Sequence, residues 1–454
     1  MKSNPAPLLF SALALLFSPL ASPAGDLPVT GHPVPELAAV DNVVLQLMDN
    51  YSLNGCTVGI AKEGRVIYQR GFGWMDANAT VPMPENATMR MASVSKVFVI
   101  EAIKKLKAEG LDDNTPVFDL GQEGGGILDF DPWPSLQDER MKQITVKHLM
   151  EMKAGWATDH VWETQQIYQA MGLDGDEGHP PPVTVEEMVQ YALGRNLATD
   201  PGAGDAQGNA VYSNFSFNVL VLVIEELTGQ NFYTYLRQNL LGQSRWIPVT
   251  DFYLGQPFST VGLREPHYFS AVDSPNLYDP DFEDVSMPYG GMNVEAMYGS
   301  SFVVASAATM LAYMADYNQR WIGDMEGSSS TIIDSSTVPG VDIVVICNER
   351  LLNSPGNWIG DMIGQAVDAQ LGGVGIWPTL AIDGQWVGWD AVDPTSGIGS
   401  YDTAYGSLDK AMNHVTGGTR LKFHPGEQPY VGTLNKKLRL DAPFGPAKIG
   451  VAGP

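Results

Sequence analysis

The sequence is short of several things, and each shortage closes off a class of protein. Two cysteines in 454 residues, Cys56 and Cys347, allow at most one internal disulfide, so this is no disulfide scaffold. Basic residues are few: 26 Lys and Arg stand against 52 Asp and Glu, a formal charge of −26. A surface of that sign repels phosphate backbones and anionic lipid, which argues against nucleic acid and membrane surfaces as partners. The acidity reads as a solvated surface rather than an acidic binding face. The seven histidines show no zinc-ligand spacing. Asp279, Asp281, Glu283 and Asp284 read as a solvated acidic loop in preference to a calcium site. No metal and no cofactor is expected. A Gly-rich phosphate loop after a strand is missing, and so is a G-x-S-x-G serine elbow.

Long apolar runs are scarce too. The run from Leu8 to Leu20 is short for a membrane span. With Lys2 before it and Ser22-Pro23-Ala24 after it, residues 1–24 read as a secretory signal cleaved near Ala24. The mature protein is then expected to be periplasmic or secreted, with no membrane span after cleavage. The apolar share of 44% and the 48 glycines fit a folded globular protein with a large buried core.

What is present falls into two parts, a main domain over 25–373 and a β-rich appendage over 374–454. After a proline-rich opening, a helix is expected around Ala39–Tyr51. Cys56–Ala61 and Val66–Arg70 read as two strands joined by a Lys62-Glu63-Gly64 turn. Helices are expected near 144–150, Thr184–Leu193, Phe215–Leu227 (stopped by Gly229) and Ser301–Tyr313. Residues 121–134 and 157–182 read as insertions, and 250–290 as loops around a cleft. Two strands around Met325–Ile333 and Val341–Asn348 and a helix near Trp358–Leu371 close the domain. The fold class is α/β (α+β): an antiparallel sheet flanked by helices, with a helical subdomain and the small C-terminal appendage.

The chemistry gathers at Met89-Arg90-Met91-Ala92-Ser93-Val94-Ser95-Lys96, which opens a buried apolar helix. Ser93 and Lys96 lie three residues apart, so their side chains share one helix face. A serine hydroxyl is a weak nucleophile until a neighbour takes its proton, and a desolvated lysine can do so once its pKa falls. Spacing alone proves little, because a second Ser-x-x-Lys exists at Ser407–Lys410.

Together with Gly71-Phe72-Gly73, Leu111-Asp112-Asp113 and Tyr212-Ser213-Asn214, the Ser93–Lys96 motif makes residues 40–370 resemble a known superfamily. It is that of serine β-lactamases and penicillin-binding proteins, in the branch of class C β-lactamases, D,D-peptidases, D-aminopeptidases and related esterases. The resemblance implies that Ser93 is the acylated nucleophile and Lys96 its deprotonating partner. Tyr212 would shuttle the proton and later activate water, and Asn214 would bond Lys96 or the substrate. It also brings the Cys56 and Cys347 strands side by side, leaving open one bridge or two buried thiols. Beyond residue 374, Trp377, Trp386 and Trp389, the Tyr405–Met412 stretch and the short strands that follow resemble the opening helix and first rungs of parallel β-helix proteins.

The third motif of that superfamily, Lys or His followed by a small residue and Gly, has no clean match. Glu326-Gly327-Ser328-Ser329 is taken as its counterpart, with Glu326, Ser328 and Ser329 lining the substrate and a backbone N–H of Ser329 joining Ser93 in an oxyanion hole. A carboxylate on the substrate would meet Glu326 rather than a cation, which costs affinity. The reading is an exported serine hydrolase acting through an acyl-enzyme on small neutral esters. D-amino-acid peptidase, amidase or β-lactamase-type activity on a peptide-like substrate is the alternative, and a silent binding or sensor protein on the same fold is a third.

Overall fold

The computed structural model of the protein describes residues 27–173, 179–241, 251–258, 264–279, 281, 283–351, 358–378, 385–387, 407–414, 420–423, 426–428, 439–441 and 447–449. The expected signal segment and Trp389 lie outside these. In chain order the first elements are β1 (Val29–Thr30), α1 (Ala38–Tyr51), β2 (Gly55–Lys62), β3 (Arg65–Gly73), β4 (Thr88–Arg90) and α2 (Lys96–Ala108). Next come α3 (Val146–Met150), α4 (Thr164–Ala170), α5 (Val185–Leu193), α6 (Asn214–Thr228), α7 (Phe232–Leu236), β5 (Phe252–Leu254), β6 (Asp273–Pro275) and β7 (Asp284–Ser286). The main domain ends with β8 (Val303–Ser306), α8 (Ala307–Asp316), β9 (Trp321–Met325), β10 (Ser328–Asp334), β11 (Val341–Cys347) and α9 (Ile359–Leu371).

Six strands form one antiparallel sheet in the order β1-β3-β2-β11-β10-β9. The β2–β3 hairpin turns on Glu63 (φ 51°) and Gly64 (φ 72°), the paired positive angles that match strand twist. Both faces of the sheet are covered, so strand residues are buried whichever way they point. Cys56, Val58, Ile60, Ile343 and Val345 pack with α1 and α9 on one face. Val344 and Ile346 pack with α8 on the other, as the period of two demands. Gly59 belongs to that second face, where a Cβ would come within 2.9 Å of Leu311, so α8 lies directly on the strand.

Helix α6 is buried at every position from Asn214 to Ile224, the mark of a helix enclosed on all sides. Ser213 caps its start by accepting from the Ser216 N–H at 3.0 Å, and Gly229 (φ 63°) ends it. The helix expected from Ser301 is shorter. Val303 and Val304 extend as β8 between β4 and β5, and α8 starts only at Ala307, with Ser306 as its cap. The expected strand around Met325–Ile333 is in fact two, β9 and β10, hinged at Glu326-Gly327. Cys56 and Cys347 sit opposite each other across β2 and β11 as buried free thiols.

In the C-terminal part, α10 (Leu408–His414) buries Leu408 and Ala411. Strands β12 (Gln385–Val387), β13 (Arg420–Phe423) and β15 (Arg439–Asp441) pair in parallel, as do β14 (Gly426–Gln428) and β16 (Ala447–Ile449). Parallel pairing is otherwise confined to an isolated bridge between Phe118 and Leu128 among the described residues.

Candidate active site

Ser93 sits on a 3-10 turn, Ala92–Ser95, that leads straight into α2. Ala92 before it adopts φ 46°, a left-handed angle that costs a non-glycine residue on the order of 1 kcal/mol and is held by complete burial. The turn leaves Ser93 on the wall of a cavity of about 430 Å³ and sends Lys96 into the core.

Lys96 is fully buried, and its ammonium nitrogen has three neighbours: Asn214 Oδ1 at 2.7 Å, Ser300 O at 3.0 Å and Ser93 Oγ at 3.1 Å. An amide oxygen and a backbone carbonyl can only accept, so they occupy two N–H bonds. The remaining direction faces Ser93. A charged lysine donates there; a neutral one has its lone pair there to receive the serine proton. Burial pushes the Lys96 pKa down to about 7, against an upward pull from the Asp159 carboxylate. The free base is thus well populated at neutral pH.

Tyr212 exposes half of its surface but turns its hydroxyl inward, 2.6 Å from Ser93 Oγ. Loss of hydration at that end pushes its pKa up to about 12, partly offset by the Ser93 hydrogen bond. Its ring also lies 4.8 Å from the Lys96 nitrogen. The four residues Ser93, Lys96, Tyr212 and Asn214 are therefore brought together, from the turn that opens α2 and the segment that opens α6.

Asp159 was not read from the sequence. It accepts from Asn214 Nδ2 at 2.9 Å, Asn214 N at 3.1 Å and Phe215 N at 2.7 Å. By taking the amide NH₂ it leaves Asn214 only its oxygen to offer Lys96. The residue lies in the 157–182 stretch, where nothing in the local pattern marks it; only the docking of that stretch against α6 does.

The third motif falls elsewhere than expected. The strand beside Ser93 is β9, the sheet edge, and not Glu326–Ser329. A Cβ on Gly323 would come within 2.6 Å of Met91 O and 2.7 Å of Ser93 N, both backbone atoms, so only glycine allows this approach. Ser328 is buried and donates to Arg90 O, while Ser329 is buried on the opposite face with its Oγ accepting from Gly360 N at 3.1 Å. Neither side chain lines the cavity. The turn Glu326-Gly327 closes on the pair Met325 and Ser328. Hydrogen-bonded and open pairs alternate from there, which puts the backbone N–H of Asp324 on the free edge of β9, one residue from the Gly323 contact with Ser93.

Glu326 does line the cavity, together with Asp324 and Arg350. Arg350 Nε lies 2.9 Å from Asp324 Oδ2, and Nη1 lies 3.3 Å from Glu326 Oε1. Ser270 holds the other Glu326 oxygen at 2.7 Å. Burial pushes the Asp324 pKa up to about 6 in spite of Arg350. The rest of the wall is mainly apolar: Trp162, Trp358, Met287, Met292 and Met297 among others. Among the described residues no group of three or more His, Cys, Asp or Glu is placed to hold a metal ion, and no helix is long and apolar enough to cross a membrane.

The chain is similar to several known proteins. Esterase EstB of Burkholderia gladioli is 28% identical over 195 residues, covering 42% of this chain and 46% of that protein. Protein flp of Staphylococcus aureus (strain COL) is 23% identical over 209 residues, 44% of this chain and 36% of that one. The chain thus spans less than half the length of these curated relatives. Among solved structures, an octameric penicillin-binding protein homologue from Pyrococcus abyssi superposes with a TM-score of 0.52 at 17% identity, over 74% of this chain and 77% of the other. A penicillin-binding protein homologue from Caulobacter crescentus gives 0.50 at 16% identity, over 76% and 100%. Both likenesses are of fold. The family model described as Beta-lactamase matches residues 40–338, well over half of the sequence, and the chain belongs to the beta-lactamase family.

Proposed function

We propose that the protein is a serine hydrolase that forms an acyl-enzyme on Ser93, with small neutral esters as its substrates. The observation that carries this reading is the environment of Lys96: buried, hydrogen-bonded to Asn214 and Ser300, and with its remaining direction aimed at Ser93, a setting whose burial lowers its pKa to about 7. In the proposed sequence Lys96 takes the Ser93 proton as Oγ attacks the carbonyl carbon. The N–H groups of Ser93 and Asp324 receive the developing oxyanion. Tyr212, protonated and in contact with Ser93 Oγ, delivers a proton to the leaving oxygen. Water then attacks the acyl carbonyl as the Tyr212 phenolate takes its proton, and the Lys96 ammonium returns its proton to the departing Ser93 Oγ, which regenerates the serine with Lys96 neutral and Tyr212 protonated.

The flexible methionines and the two tryptophans of the wall suit apolar acyl groups of varied shape. The name of the relative from Burkholderia gladioli, an esterase, supports the same class. A second reading, amidase or peptidase action on an amine-bearing substrate, draws on the two carboxylates in the wall, which suit an ammonium group. Export from the cell, proposed from residues 1–24, is checked by the amino-terminal sequence of the mature protein. The function is tested by fluorophosphonate labelling with peptide mapping, beside a panel of p-nitrophenyl esters, D-amino-acid amides and a chromogenic cephalosporin. Labelling at Ser93 with ester turnover is the expected result. A chain that neither labels nor turns over any of the three is a binding protein on this fold.

A further inference from the structure

One wall of the cavity holds a positive charge that is already occupied. Arg350, placed just after β11, is the one Lys or Arg among the described residues lining the cavity. An open guanidinium there would be a ready two-point receptor for a substrate carboxylate. Its Nε and Nη1 instead meet Asp324 and Glu326. These two lie two residues apart across the end of β9 and its turn, so they reach the guanidinium together. Their side chains are 7% and 8% exposed, against 34% for Arg350, so the pairs are shielded more on the acid side than on the basic one. Ser270 fixes Glu326 from behind. Two carboxylates against one guanidinium leave the wall with a surplus of negative charge.

We propose that Asp324 and Glu326 mask Arg350 and so turn the cavity against anionic substrates, leaving uncharged groups as the class it takes. The inference rests on the hydrolase reading above for where the substrate lies. It differs from a plain absence of cation: the receptor is present, and removal of its internal partners should release it.

The experiment compares kcat/KM for two p-nitrophenyl esters of equal chain length, one with a methyl end and one with a carboxylate end. The parent protein should favour the neutral ester by about tenfold or more. Glu326→Gln and Asp324→Asn should each move that ratio roughly fivefold toward the carboxylate, and adding Arg350→Gln to either should cancel the gain. Two separate variants guard against misfolding of one. A parent that prefers the carboxylated ester, an unmoved ratio, or a gain that survives without Arg350 would overturn the proposal. If no variant turns over any ester, the hydrolase reading fails by itself. The masking is then read in the same variants as the Kd of benzoate against benzamide, where a ratio that does not shift toward benzoate rejects it.

Discussion

Two stretches of this chain carry Ser-x-x-Lys, and they have come to opposite uses. At Ser407 the hydroxyl oxygen accepts from the Lys410 backbone N–H at 3.1 Å and so caps α10. One of its lone pairs is engaged in holding a helix end. At Ser93 the backbone has left the helical path one residue earlier, at Ala92, and the hydroxyl meets a lysine nitrogen and a tyrosine hydroxyl instead. The lysines differ as well: Lys96 is sealed between α6 and the carbonyl of Ser300. Spacing puts serine and lysine on one face in either case. What separates a cap from a nucleophile is whether the hydroxyl is satisfied by backbone and whether the lysine is dry.

That contrast can be broken most directly by removing each serine. Ser93→Ala is expected to lower ester turnover by about 10⁴-fold or more with an unchanged thermal midpoint. Ser407→Ala should leave turnover alone and cost about 1 kcal/mol of stability as a lost cap. Turnover that survives the first change, or falls with the second, would reverse the assignment.

The dryness of the lysine is tested next. Lys96→Ala should cost roughly 10³-fold. In the parent protein kcat/KM should rise with pH through a midpoint near 7, because burial has lowered the pKa of Lys96 to about 7 and the neutral form is the base. A flat profile between about pH 6 and 8 would remove Lys96 from that role.

The approach of β9 gives a smaller effect. Gly323→Ala puts a methyl group against the backbone at Met91 and Ser93, and should lower kcat by about a hundredfold while KM changes little. Equal activity would mean that the edge strand does not serve the serine.

The finest adjustment belongs to Asp159. Asp159→Asn keeps a hydrogen-bond partner for Asn214 but deletes the charge that raises the proton affinity of Lys96. The midpoint of the pH profile should therefore move below 7, with at most about a tenfold loss of rate. A midpoint that stays or rises would show that Asp159 acts on Lys96 only by shape.

Local chemistry explains which parts were legible beforehand. The β2–β3 hairpin and α6 with its glycine stop follow from short-range signals, while the grouping of Ser93 and Lys96 with Tyr212 and Asn214 follows from the resemblance to the β-lactamase and penicillin-binding-protein superfamily. The third strand did not, because its qualification is a missing side chain. Gly323 matters through the space it leaves, and the polar run Glu326–Ser329 drew attention to hydroxyls that point away. Val303-Val304 read as helix for a similar reason: an apolar run of that length fits a helix or a buried strand equally, and pairing with β4 and β5 settled it.

The sequence by itself determined the family, the antiparallel α/β architecture and which serine has a lysine, a tyrosine and an asparagine to work with. The serine–lysine spacing acts within one turn of helix, and the rest follows from the family resemblance that the motifs carry together. Tertiary structure alone decided that Lys96 is dry, that Asp159 orients its amide partner, and that Arg350 is held by two carboxylates. Each of these depends on groups more than twenty residues apart meeting in a low-dielectric site, where contact and burial, rather than composition, set charge and reactivity.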